Sequence, residues 1–335
     1  MKRSIVRDFV AQGLTIDIAL QVAALSRSTY YYRFTGGKKG TSPSTSTCFN
    51  GEHISNDQVV AHIKQILEPE FIDYGYHRVT AVLNDEGYQI SKSKVYRLMK
   101  EHQLLHPKRK GRQSERRFVV FTSPRPNRPF EVIETDIKYV YIYGEKRNAY
   151  LITMLDTFHR QVFVWGLFAD MKTDKIVNLI VQFVDDHLIP NSVDPQQVEV
   201  TIRSDNGSQF VAQMYQDILH DCHLKSNYIP PACPQMNGHI EAFHSTIQRL
   251  VCSKYVFETL TDARLVFDRF YHTYNNLRIM KSILNKCPVH FLQLWNQGYI
   301  GIEKRMGKNS FYFKEEGMKS MPSPLEASLT AKAKL

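Results

Sequence analysis

Residues 131–143 limit most strongly what this chain can fold into. Ile133, Ile137 and Tyr139 fall on one side of a period-two pattern, and Glu134, Asp136 and Lys138 fall on the other. Such alternation is the signature of a strand with two different faces. Residues 150–156 and 161–168 read as two further strands, so the three predict a meander. A helix over 173–188, a fourth strand over 198–203, and helices from about Ser208, from Gly238 and over 261–277 follow. Strands first and helices interleaved later predict an α/β architecture, a mixed sheet covered by helices.

The chain ahead of this segment reads differently. In residues 1–34, Ile18, Val22 and Leu25 follow a helical period, and Gly13-Leu14 marks a turn between two short helices. Ser26 stands where it would cap a short polar helix, as at the start of a recognition helix. Residues 35–52 are rich in Gly, Ser, Thr and Pro and read as a flexible linker. Residues 53–105 read as all-helical. Val59, Ile63, Ile66 and Leu67 form one apolar stripe, Val79, Val82 and Leu83 a second, and Val95, Leu98 and Met99 a third. Asp85-Glu86-Gly87 would end the second helix, and Ser91 would cap the third. Lys92, Lys94, Arg97 and Lys100 decorate that third helix, which suits a helix-turn-helix lying along DNA or, equally, a solvated basic face. Residues 106–129 hold Lys108, Arg109 and Lys110 among further arginines and prolines, a basic linker fit to track phosphates.

Charge sharpens the contrast. Residues 1–128 carry 21 Lys and Arg against 11 Asp and Glu, while the remainder carries 22 of each sign. The whole excess of +10 therefore lies in the first part, as expected of a part that meets a polyanion. The five cysteines form no Cys-x-x-Cys pair, which argues against a disulfide framework and a cysteine zinc site. No run of about 18 apolar residues predicts a membrane span, and the N-terminus lacks the apolar region of a secretory signal. A cytoplasmic protein is expected.

Three carboxylates stand out by their setting. Asp136 lies in mid-strand, where a carboxylate is disfavoured without a partner or a task. Asp205 ends the fourth strand before an Asn-Gly turn, where open α/β sheets place their sites. Glu241 lies one turn into a helix whose buried stripe is Ile240, Phe243, Ile247 and Leu250, with Glu241, Ser245 and Gln248 on the other face. Between Asp136 and Asp205 stand 68 residues, and between Asp205 and Glu241 stand 35.

With that spacing, the chain resembles Asp-Asp-Glu transposases of bacterial insertion sequences, relatives of retroviral integrase. The resemblance rests on Thr135-Asp136-Ile137, on Ser204-Asp205-Asn206-Gly207-Ser208-Gln209-Phe210, and on Pro234-Gln235-Met236-Asn237-Gly238 ahead of Glu241. Tyr74-Gly75-Tyr76-His77-Arg78 and Val95-Tyr96-Arg97-Leu98-Met99 resemble the helix-turn-helix that precedes such a core. Ser26 to Tyr31 resembles the start of the catalytic reading frame, and Tyr274-Asn275-Asn276 with Arg278 resembles a post-core motif. The match extends to about residue 294, leaving 295–335 as a C-terminal extension whose end is expected to be disordered.

The resemblance implies a ribonuclease-H-like catalytic core over residues 130–294. It implies DNA strand cleavage and strand transfer with Asp136, Asp205 and Glu241 as catalytic metal ligands. Two Mg²⁺ ions about 4 Å apart suit phosphodiester chemistry, with Mn²⁺ as a substitute. Asp136 would bridge both, and Asp205 and Glu241 would each bind one. Asn206 and Gly207 would shape the adjoining loop. Arg78, Lys92, Lys94, Arg97, Lys108, Arg109, Lys110, Asn206, Asn237, Gly238, His239 and Arg249 are the expected DNA contacts. The implied partners are double-stranded DNA at element ends and target, further copies of the chain on that DNA, and a protein from an upstream reading frame; a nucleoid location follows. Met236 stands where the family usually has Asp, Gln248 where it usually has Lys or Arg, and Met280 where it usually has His. A decayed copy that only binds DNA through its helix-turn-helix is therefore the alternative to an active enzyme, and a plain nuclease is another. Cys48, His53 and His62 do not reproduce the zinc site of retroviral integrases, so no zinc is expected.

Overall fold

Gly13, at φ +95°, reverses the chain between helix α1 (Lys2–Ala11) and helix α2 (Ile16–Val22). Only glycine adopts that conformation without strain. Helix α3 (Arg27–Tyr31) follows, its first turn capped by Ser26, whose hydroxyl accepts from the Thr29 amide at 3.2 Å. Val6, Ala19 and Leu20 form the buried centre, while Ile18 and Val22 of the expected stripe are exposed. The computed structural model describes residues 2–32, 44–107, 126–230, 234–305 and 308–314. These divide into two compact units, Met1–Thr45 and Ser46–Leu335.

The second unit opens with strands β1 (Ser46–Phe49) and β2 (Glu52–Ser55), a hairpin turned by Asn50 and Gly51. Helices α4 (Asn56–Leu67) and α5 (Tyr76–Asp85), strand β3 (Tyr88–Gln89) and helix α6 (Lys92–Glu101) follow. Two expectations are corrected here. The linker reading extended to residue 52, and the 53–105 segment was read as all-helical; a three-stranded sheet of order β2-β1-β3 crosses both. Its pieces are two to four residues long, too short for alternation to register. The helical stripes hold: Val59, Ile63, Val79, Leu83, Val95, Leu98 and Met99 share one core with Tyr74 and Tyr88. Gly87 takes φ +100° after α5, and Ser91 caps α6 by accepting from the Lys94 amide.

The largest sheet has the order β6-β5-β4-β7-β8. Strands β4 (Val132–Ile142), β5 (Arg147–Asp156) and β6 (Val162–Phe168) form the expected antiparallel meander. After helix α7 (Thr173–Phe183), which runs into a π-helical turn over Val184–Leu188, strand β7 (Thr201–Ser204) joins parallel to β4. Helices α8 (Ser208–Val211) and α9 (Gln213–Asp221) lead to β8 (Lys225–Tyr228), parallel to β7. Helices α10 (Gly238–Ile247), α11 (Leu260–Asn276) and α12 (Pro288–Asn296) follow, then the hairpin of β9 (Ile300–Arg305) and β10 (Lys308–Phe313). This is a mixed five-stranded sheet with helices on both faces, the ribonuclease-H-like architecture.

The alternation of β4 decides which helices cover which face. Val140 and Ile142 enter a core with Ile240, Phe243, Phe267 and Phe270 of α10 and α11. Ile133, on the opposite face, enters a core with Ile176, Ile180 and Phe183 of α7 and Tyr215 and Leu219 of α9. At the start of the free edge of β6, Asn275 takes the place of a neighbouring strand: its Oδ1 accepts from the Val162 amide at 3.0 Å and its Nδ2 donates to the Val162 carbonyl at 2.8 Å. Such cover keeps an edge from pairing with another chain.

Candidate functional site

The site begins with the register of the central strands. Glu134 is opposite Arg203 in the parallel β4–β7 pair. Two residues further along each chain are Asp136, still in β4, and Asp205, just past the end of β7. A strand repeats its facing every second residue, so Asp136 shares the facing of Glu134 on β4, while Asp205 begins the loop that leaves β7. Glu134 Oε2 accepts from the Ile240 amide at 2.9 Å, so α10 sits on that face by its first turn. Glu241, the next residue, is exposed at the same end of α10.

Electrostatics ties the carboxylates together. Partial burial and the nearby Asp136 raise the pKa of Glu241 above the usual carboxylate value, and His244 opposes the shift. His244, one turn after Glu241, places Nδ1 3.4 Å from Asp136 Oδ2. From sequence, His244 reads as a DNA-facing or core histidine rather than a ligand; its Glu-x-x-His spacing, which puts two side chains on one helix face, is the signal that sets it beside Glu241. Asp205 Oδ1 accepts from the Gly207 amide at 3.0 Å, and Asn206 Nδ2 donates to the Ile229 carbonyl at 3.0 Å. Asn206 thereby ties the loop after β7 to the one after β8. Among the described residues, no three His, Cys, Asp or Glu are gathered into a ready metal site. The donor chemistry of Asp136, Asp205 and Glu241, carboxylate oxygens throughout, suits a hard divalent cation.

The buried side of the site is a second set of charges. Glu134 is 1% exposed and Arg203 is 2% exposed. Burial lifts the Glu134 pKa to about 7, against the opposing pull of the Ile240 amide and Arg203. Arg203 Nη1 stands 3.4 Å from Glu134 Oε1 and 3.3 Å from the Met236 carbonyl. Met236 thus contributes a backbone oxygen here. Asp156, fully buried, accepts from the amides of Phe130, Phe158 and His159. Burial alone would raise its pKa, but the adjacent His159 and these amides hold it below the usual value.

The expected DNA contacts fall into groups. Lys92 is exposed at the start of α6, Lys94 Nζ donates to the Ser46 carbonyl, and Arg97 lies 4.0 Å from Glu101. Asn237 is buried, while Gly238 and His239 are exposed at the start of α10. The His239 residue keeps solvent exposure, but the part of its ring turned toward Arg160 and Arg203 is desolvated, and burial with those two charges lowers its pKa. Arg78 lies against the Tyr74 ring, and Arg249 is ion-paired with Asp73 inside the chain. Lys108, Arg109 and Lys110 lie outside the described residues.

Asp73 also receives Arg278 Nη2 at 2.6 Å, while Arg278 Nη1 donates to the Phe71 carbonyl at 3.0 Å. Tyr74 Oη donates to the Leu277 carbonyl and accepts from the Ile279 amide. Lys286 Nζ lies 2.7 Å from Asp85, and Arg269 lies 2.9 Å from Glu70. The motifs around Tyr74 and Arg278 thus meet as a clamp between the α4–α6 segment and α11.

Comparison with known proteins agrees with this architecture. Residues 126–234 and 223–288 match two integrase core domain models, and residues 55–112 match an HTH-like domain model. The transposase for insertion sequence element IS904 from Lactococcus lactis subsp. lactis (strain IL1403) is 25% identical over 72% of this chain and 95% of its own length. InsK of insertion sequence element IS150 from Escherichia coli (strain K12) is 26% identical over 86% of this chain and 96% of its own. Among solved structures, the HTLV-2 integrase catalytic core domain in complex with magnesium is 18% identical, covering 50% of this chain and 99% of that one, with a TM-score of 0.37. The chain thus carries integrase core domain matches over residues 126–288, with an HTH-like domain match ahead of them.

Proposed function

We propose that this protein is the transposase of an insertion sequence, which binds the element's ends and cuts and joins DNA with Asp136, Asp205 and Glu241 as its catalytic carboxylates. The observation that carries the reading is Asp136 beside α10: its Oδ2 lies 3.4 Å from Nδ1 of His244, one turn after Glu241, and Asp205 directly follows β7, the parallel neighbour of β4. A pair of divalent ions, Mg²⁺ or Mn²⁺, would neutralise charge on the attacking and leaving oxygens. Asp136 would bridge the pair, with Asp205 and Glu241 each holding one ion. Water first attacks phosphorus at an element end, the P–O bond to the 3′ oxygen breaks, and that oxygen leaves as a 3′-OH. The 3′-OH then attacks a target phosphodiester, loses its proton, and displaces the target's own 3′ oxygen.

Lys92, Lys94 and Arg97 on α6, with the basic residues 108–110, would bind the end's phosphates. Asn206, Asn237, Gly238 and His239 would line the strand near the scissile bond. Pairing two ends calls for at least two copies of the chain on DNA, and an upstream-frame protein is a further partner in this reading. No described helix is long and apolar enough to cross a membrane; a cytoplasmic, nucleoid-associated location belongs to the same proposal.

The test is a strand-transfer assay with the full chain, labelled DNA carrying the element's own ends, and Mg²⁺, with Asp205→Asn in parallel. Joined products from the wild type, absent in the variant and in EDTA, are expected. Specific end binding without cleavage, across several metals and with any upstream-frame protein added, would move the chain to a DNA-binding role alone.

A further inference from the structure

We infer that Glu134 is a positioning residue that aligns the three carboxylate-bearing elements by joining β4, β7 and the first turn of α10 through one buried side chain. The inference rests on the transposase reading of Asp136, Asp205 and Glu241. Its own evidence is geometric. One carboxylate oxygen takes the Ile240 amide at 2.9 Å, and the other faces Arg203 Nη1 at 3.4 Å. Each contact lies next to a proposed metal ligand: Glu134 is two residues before Asp136, Arg203 two before Asp205, and Ile240 one before Glu241.

Arg203 extends the joint. Its Nη1 also reaches the Met236 carbonyl at 3.3 Å, and its Nε lies 3.4 Å from Asn227 Oδ1 on β8. The turn ahead of α10 and the outer strand are thus drawn to the same point. An N–H at a helix start has no intrahelical acceptor, so the Ile240 bond meets a real need and fixes where α10 begins. A shift of about 1 Å in a catalytic group is enough to cost on the order of a hundredfold in rate. Glu134 touches no reacting atom: both its oxygens are engaged by protein groups.

Stability and alignment can be separated by experiment. Removing one charge of a buried pair strands the other, whereas replacing both with apolar residues is often neutral for folding. The full chain would be compared as wild type, Glu134→Gln, and the double variant Glu134→Leu with Arg203→Met. Three readouts are needed: the melting temperature, amide exchange over residues 236–247, and strand transfer against Mg²⁺ concentration. The double variant is expected to melt within a few degrees of the wild type. Its exchange at the first turn of α10 should rise at least tenfold, and its strand transfer should fall at least tenfold with a higher half-saturating Mg²⁺. Glu134→Gln, which keeps an acceptor for the Ile240 amide, should retain more protection there. Unchanged exchange in a folded double variant, or strand transfer within twofold of the wild type, overturns the inference. If the wild type joins no DNA, the transposase reading fails, and exchange alone then decides whether Glu134 holds α10.

Discussion

His244 Nδ1 stands 3.4 Å from Asp136 Oδ2, across the gap between α10 and β4. Its ring is three residues from Glu241 on the same helix, so one imidazole adjoins both carboxylates. Groups that orient metal ligands from outside the ligand set are typically worth about 10- to 100-fold in affinity or activity. His244→Ala is expected to lower strand transfer by roughly that factor while leaving end binding and the melting temperature near wild type. A gel-shift titration beside the transfer assay reads both; an equal loss in binding would assign His244 to DNA contact instead.

Asp73 receives Arg249 and the nearly buried Arg278 together. Asp73→Ala strands two guanidiniums at once. Breaking a buried ion pair from one side costs about 3–5 kcal/mol, and Asp73 is itself partly exposed, so about 2–3 kcal/mol is the expected loss of unfolding free energy. Urea denaturation measures it. Asp73→Asn, which keeps an acceptor, should cost less.

Asn275 answers both backbone groups of Val162 at the edge of the sheet. Asn275→Ala leaves an amide and a carbonyl without their partner, at about 1–3 kcal/mol for each group that stays dry. Asn275→Asp keeps the acceptor for the amide but sets a negative oxygen against the carbonyl, and it should be no better tolerated. Denaturant midpoints for the two variants test this, and a loss under about 0.5 kcal/mol would mean that water replaces the side chain.

Two histidines make stability depend on pH. Burial lowers the pKa of His187, whose Nε2 lies 2.8 Å from the Phe163 carbonyl. Burial and the neighbouring Lys286 lower that of His290. Both rings bind protons less readily in the folded protein than in the unfolded chain. Their contribution is therefore complete above the unfolded value of about 6.5 and is lost as pH falls through it toward the lowered folded values. Melting temperature should drop between pH 7.5 and pH 5, and His187→Gln should flatten that slope. An identical slope in the variant would remove His187 from the account.

How much of this was legible depended on the range over which each signal acts. Long alternating or helical stretches such as 131–143 and 261–277 declare themselves, because burial repeats along them. Ser204 to Phe210 and the interval to Glu241 made the candidate carboxylates stand out before any fold was known. Strand β8 did not: Lys225-Ser226-Asn227-Tyr228 is short, polar and at a sheet edge. The strands β1 to β3 are shorter than any periodicity can resolve. Glu134 read as one more carboxylate beside Asp136, since nothing local says that Arg203 and the Ile240 amide will close over it. Arg249 read as a DNA contact for the same reason. Its acidic neighbour lies far away in the chain, and only the folded arrangement brings them together.

The pairing of Asp73 with Arg278 also has a history within each molecule. The two residues are separated by 205 positions. A ribosome adding about 5–20 residues per second delivers Arg278 some 10 to 40 s after Asp73. Until Arg249 emerges, the α4–α6 segment has its own core but not its anchor, and Asp73, Glu70 and Asp85 all await cations still to be synthesised. A message cut short before Arg249 would release a chain whose α4–α6 segment keeps these acidic positions uncovered, free of the clamp that holds it in the finished protein.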